Sequence, residues 1–161
     1  MPSGKTHLKI EAVFLVIWTA GSIPLLATDA ITNLQALLFL GSYVFSMFLM
    51  SPDLDLSKSD AYNRWGALRW IWLPYAWVFR HRQVSHHLLL GPLSRILYLA
   101  ILALAGAVIY HLSTGNFVPQ WRPSVVVVLP VFFGLYMPNI EHIVADQIST
   151  AYRRKRRGHQ L

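Results

Sequence analysis

Apolar residues in this chain are gathered into long runs instead of recurring at alternate positions or on one helical stripe. Crossing a bilayer as a helix takes about 20 mostly apolar residues, and four runs come near that length: 10–27, 31–50, 93–112 and 125–148. The first contains Gly21 and Pro24, and the last contains Pro130 and Pro138. Membrane helices tolerate such breakers at the expense of a kink. Pro92 stands where the first turn of the third run begins, a position that suits proline. Between the second and third runs lie a polar stretch, 51–63, and an aromatic segment, 64–79, with Trp65, Trp70, Trp72, Tyr75 and Trp77. That segment is too short and too aromatic to span, and Trp and Tyr favour the headgroup level. The pattern predicts an all-α integral membrane protein with four transmembrane helices. A short interfacial or re-entrant helix over 64–79, broken near Pro74, completes a single membrane domain spanning 1–161.

Composition agrees with the pattern. The 161 residues are 55% hydrophobic and 13% charged, with a mean hydropathy of +0.43. A soluble domain of this size carries about twice that share of charge. The first run is too long for the apolar core of a signal peptide and lacks a clean small-residue cleavage site, so a retained helix is expected. The chain has no cysteine, which excludes disulfides and thiolate metal sites. No internal repeat or low-complexity segment is visible.

The net charge of +7 raises the question of nucleic acid, but the placement of the charge argues against it. Arg153, Arg154, Lys155, Arg156 and Arg157 form one run after the last apolar stretch. A basic tail over 153–161 reads as a cytoplasmic anchor with affinity for anionic lipid. Nucleic-acid binding would instead spread basic residues over a polar face with aromatics between them. Lys5 and Lys9 precede the first run, and Lys58, Arg64, Arg69, Arg80 and Arg82 lie between the second and third. The opposite loops, 28–30 and 113–124, offer only Arg122. Both termini and the long central loop are therefore expected to be cytoplasmic.

On that topology a set of His and Asp residues falls on one membrane face. His7 precedes the first run, and Asp53 and Asp55 follow the second in Ser51-Pro52-Asp53-Leu54-Asp55. His81, His86 and His87 precede the third, and His142 and Asp146 lie near the end of the fourth. Ionisable groups near membrane depth are costly unless paired or coordinated. His142 and Asp146 are four apart and share a helical face. Nitrogen and carboxylate donors without sulfur suit Zn, Mn or Fe better than Mg or Ca. Each residue alone has a simpler reading: a solvated terminal His7, Asp53 and Asp55 capping a turn, a self-satisfied His142–Asp146 pair. Gathered on one face, they read as a metal site. His111, at the far end of the third run, and His159, in the tail, fall outside it. Of the adjacent His86 and His87, His86 is placed with the ligands.

The opening residues 1–7, the Ser-Pro-Asp-Leu-Asp at 51–55, Arg64-Trp65-Gly66 and Trp72-Leu73-Pro74-Tyr75 together resemble a known family. His81-Arg82, Ser85-His86, Gly91-Pro92 and the His142 to Asp146 pair extend the resemblance over nearly the whole chain. The family is an uncharacterised membrane group described as metal-binding, common in cyanobacteria and archaea. It is related in pattern to the LexA-regulated membrane-bound metal-dependent hydrolases. The resemblance implies a prokaryotic inner or thylakoid membrane and a divalent metal, zinc first, on His7, Asp53, Asp55, His81, His86, His142 and Asp146. Glu141, beside His142, stands where an uncharged residue is expected.

Two functions are compatible with such a site. In the first, a metal-dependent hydrolase acts on a phospholipid or other phosphoester at the cytoplasmic face. Asp55 or Glu141 is then a general base, while Arg82 and Arg95 hold phosphate. The alternative is a non-catalytic, metal-stabilised subunit or assembly factor of a larger membrane complex. A metal-free lipid phosphatase is excluded, since Pro2-Ser3-Gly4 is followed by Lys5 and lies at the wrong end of the chain. Gly4-Lys5-Thr6 lacks the upstream glycine and strand of a phosphate-binding loop.

Overall fold

A computed structural model describes residues 4–56, 59–79, 87–116 and 124–158, apart from the side chains at 55, 153, 154, 156 and 157. Among the described residues the chain is helical throughout, without a strand. Helix α1 is Gly4–Ala27, α2 is Asn33–Leu49, and a 3-10 turn covers Pro52–Asp55. Short helices α3 (Asp60–Arg64) and α4 (Leu73–Val78) flank a 3-10 helix, Gly66–Trp72. Helices α5 (Leu90–Thr114) and α6 (Val125–Gly158) complete the fold.

Three of these helices, α1, α5 and the 125–152 part of α6, are long and apolar enough to cross a membrane. Polar side chains within them can bond back to their own helix, as a hydrocarbon medium favours: in α1, Thr19 Oγ1 and Ser22 Oγ donate to the carbonyls of Leu15 and Trp18, both at 2.8 Å. The most hydrophobic 18-residue stretch of α5 has no buried residue, and Leu97, Ile101, Leu104, Val108 and Leu112 all face outward. A helix apolar on every side belongs in lipid or against another apolar surface, not in water.

The fourth expected span, 31–50, is shorter than its apolar run. Thr32 caps α2 in a reciprocal capping box with Gln35, and the chain leaves the helix at Met50, before Pro52. The resulting 17 residues are about 26 Å long at 1.5 Å per residue, short of the about 20 residues that a full crossing takes.

Helix α2 packs closely along α6. An added Cβ at Gly134 would overlap the carbonyl oxygen of Phe39 and lie 2.8 Å from Ser42 Cβ, so only glycine lets these backbones approach. Alongside, Ser46 Oγ donates to Leu135 O at 2.7 Å, and Asn139 Nδ2 donates to Ser46 Oγ at 3.0 Å. Fully buried Arg95 on α5 joins this row. Its Nη1 donates to Met50 O at 3.0 Å and to Asn139 Oδ1.

The aromatic segment differs from the expected interfacial helix. Gly66, at φ +53°, ends α3, and a 3-10 helix follows before Pro74 starts α4. Trp70 and Trp77 are exposed as a headgroup belt would have them, but Trp72 and Tyr75 are buried. With Leu54, Ala61 and Tyr62 they form a compact core packed on Tyr98 and Leu99 of α5. Trp72 meets Trp65 and Tyr75 edge-on at 5.2 and 5.6 Å, and Tyr75 Oη hydrogen-bonds Ser94 Oγ at 2.8 Å. Burying Leu54 here fixes the Pro52–Asp55 turn and hence the position of Asp53. Helix α6 continues through the first part of the basic tail to Gly158.

Candidate metal centre

The centre lies where the start of α1 meets the latter half of α6. His7 and Glu11 are four apart on α1; His142 and Asp146 are four apart on α6. Each pair therefore shares a helical face, and the faces meet in antiparallel order. His7 Nε2 lies 3.1 Å from Asp146 Oδ1, and His142 Nδ1 lies 3.1 Å from Glu11 Oε1. The two imidazoles stack between these pairs, with centroids 3.7 Å apart and planes 12° from parallel. All four side chains are buried. From the turn after α2, Asp53 Oδ2 approaches to 3.9 Å from His142 Nε2, beyond hydrogen-bond reach.

One ligand atom from each of His7, His142 and Asp146 lies within 4.8 Å of the others. Two features make this set suitable for a metal ion. The donors are imidazole nitrogen and carboxylate oxygen, the combination that serves Zn, Mn and Fe. In addition, His7 Nδ1 is buried with no hydrogen-bond partner among the described residues, a costly condition that a bound ion or its water relieves. Beside the set lies a cavity of about 30 Å³ whose walls include His7, Glu11, Asp53, Asp60, Arg64 and His142. Its size suits a water molecule.

The structure thus brings together His7, His142 and Asp146, with Asp53 adjoining. The side chain of Asp55 and the whole of His81, Arg82 and His86 lie outside the described residues. His87 accepts from the backbone N–H of Leu89 and Leu90 through Nδ1, at 3.3 and 3.2 Å, where α5 begins. Glu141 is directed elsewhere: its carboxylate accepts from Trp18 Nε1 at 2.9 Å and from Tyr43 Oη. The guanidinium of Arg95 serves the packing of α2, α5 and α6 described above, so its geometry is that of a structural clasp and not of a phosphate holder. Glu11 is the participant that reading the sequence passed over. Its signal was present, since a carboxylate inside an apolar run, four residues after a candidate ligand, is costly without a partner.

Comparison with known proteins agrees with this picture. A family model described as "Uncharacterized metal-binding protein (DUF2227)" matches residues 2–156. An uncharacterized protein of Aquifex aeolicus (strain VF5) is 45% identical over 58 residues, which is 35% of this chain. The match spans 40% of that relative's length. No solved structure matches the chain.

Proposed function

The chain belongs to this family of metal-binding proteins, and on that premise we propose that it is a metal-dependent hydrolase of a phosphoester at a membrane surface. His7, His142 and Asp146 hold one divalent ion, zinc ahead of manganese or iron. The observation that carries this reading is that, among the described residues, three ligands converge with a water-sized cavity beside them. Structural zinc sites are closed by four protein ligands, whereas catalytic ones keep three and an open position.

When bound, the ion supplies Lewis acidity toward a water and toward a phosphoryl oxygen. The rest of the work falls to the chain itself. Glu11 holds the His142 ring through Nδ1, leaving Nε2 directed to the cavity side, where Asp53 lies. Asp53 is partly exposed on the cavity wall and is placed to take a proton from a water there. The surrounding apolar helices favour an amphiphilic substrate, with a phospholipid as the first choice. The basic residues that cluster in the first turns of α1, between α2 and α5, and at the end of α6 support a cytoplasmic location for the site, in a prokaryotic inner or thylakoid membrane.

A second reading has its own support. The ligands come from opposite ends of the chain, so a bound ion clasps α1 to α6 whether or not it turns over substrate. That is the role of a metal-stabilised subunit in a larger membrane complex.

Metal content and turnover separate the two. Purified protein is expected to carry about one ion per chain, and to hydrolyse a phosphoester from a panel of phospholipids and lysophospholipids. His142→Ala should abolish both. A wild-type protein without bound metal would sink both readings. Stoichiometric metal with no turnover on the panel, and a co-purifying membrane partner, would favour the subunit.

A further inference from the structure

We propose that Arg64 is the anion-recognising residue of this centre, and that the group it recognises is a phosphate oxyanion. The inference deepens the hydrolase reading and rests on it. Arg64 is the last residue of α3, and two bonds to the end of α2 place it. Its Nη1 donates to Phe48 O at 3.2 Å, and the neighbouring Trp65 Nε1 donates to Leu49 O at 2.8 Å. These carbonyls belong to the last turn of α2, where intrahelical donors are missing, so α3 is pinned there by groups that need a partner. The guanidinium also lies over the Phe48 ring, 5.7 Å from its centroid.

So held, Arg64 forms part of the wall of the cavity that His7, Glu11, Asp53 and His142 share. It is exposed, and among the described residues its remaining guanidinium nitrogens have no partner. Among the described residues, the other charged groups on that wall, Glu11, Asp53 and Asp60, are carboxylates. A site with that many acids repels an anionic substrate unless cations offset them, and Arg64 is the cation the lining supplies beside the bound ion. A guanidinium fork matches two oxygens of one phosphate, which an ammonium cannot do. An ion held by His7, His142 and Asp146 would supply one attachment for a phosphoryl group, and Arg64 would supply a second.

The test uses zinc-loaded, full-length protein in detergent, with binding of inorganic phosphate measured by calorimetry. Arg64→Gln is expected to keep its zinc and to bind phosphate roughly ten- to hundredfold more weakly, the range for a charged hydrogen bond. Arg64→Lys should fall between the two, and it carries the test if Arg64→Gln does not fold. A second arm, with vesicles of phosphatidylcholine containing or lacking phosphatidic acid, distinguishes a lipid headgroup from free phosphate. Arg64-dependent binding in either arm supports the proposal and identifies the source of the phosphate. Equal phosphate binding by wild type and both variants, or none by zinc-loaded wild type in either arm, would overturn it while leaving the metal reading intact. Failure of the wild type to hold zinc would remove the metal reading and this proposal with it.

Discussion

His142 has a carboxylate on each side of its ring, Glu11 at Nδ1 and Asp53 beyond Nε2, and it stacks on the second imidazole of the centre. Its loss therefore removes a candidate ligand and leaves a buried and a partly exposed acid without a base between them. His142→Ala and Asp146→Ala are each expected to abolish stoichiometric metal, as read by elemental analysis of the purified protein. Glu11→Gln is a finer probe, because it keeps the shape and replaces the carboxyl group that holds the ring at Nδ1. A loss of about 10- to 100-fold in metal affinity is expected, the usual effect of disturbing a ligand's own partner. Affinity unchanged by Glu11→Gln would mean that the acid is a bystander. Of these residues, His142 and Asp146 were legible from their spacing and His7 from its company. Glu11 was not, because a single acid in an apolar run states a cost without saying which group meets it.

Helix pairing supplies the next level of order. α2 and α6 come together because Gly134 presents no side chain to Phe39 and Ser42, and because Ser46 and Asn139 bond across the seam. Gly134→Ala puts a methyl group where backbone already lies, so the helices must separate. A loss of about 1–3 kcal/mol is expected, the range for overpacking, visible as a lowered Tm in detergent. A variant as stable as wild type would show that the seam has slack. The segment between α2 and α5 makes a different kind of contact. Trp72 is fully buried among aromatic rings, and Trp72→Ala should cost about 3–5 kcal/mol. Because Leu54 sits in the same core, the mutation should also loosen Asp53 and slow turnover; unchanged Tm with unchanged turnover would contradict both effects. The run of Trp and Tyr led to the expectation of a surface belt, since composition does not distinguish a ring facing headgroups from one packed against its neighbours. A 3-10 stretch with three residues per turn, opened by Gly66, decides which rings turn inward.

Across the molecule, the candidate metal centre brings together residues from the two ends of the chain. His7 and Glu11 lie in the first two turns of α1, while His142 and Asp146 lie in the second half of α6. An ion that binds the folded state alone adds stability by mass action, about 2.7 kcal/mol at a free concentration a hundredfold above its Kd. Removing the metal by chelation should therefore lower Tm by several degrees, and re-adding zinc should restore it. A Tm indifferent to both would mean that α1 and α6 are held together without the ion. The outward-facing apolar length of α5 belongs to this scale too, as it fits a lipid environment.

By itself, the sequence determined the helical class, apolar runs of membrane-crossing length, and a family whose description is metal binding; it counted four such runs, and three of the described helices have that length. These are properties of local hydropathy and of motifs read in order, and they need no knowledge of how one helix turns toward another. Only the tertiary structure decided which ionisable groups share a point in space. Glu11 and His142 are 131 positions apart, and their contact depends on the rotation of α1 and α6 about their own axes, which the close α2–α6 seam and the four-residue spacing on each helix set together. The same rotation turns Glu141, one residue from His142, toward Trp18 and Tyr43. Adjacent positions on a helix point about 100° apart, so adjacency in sequence brought it no closer to the centre.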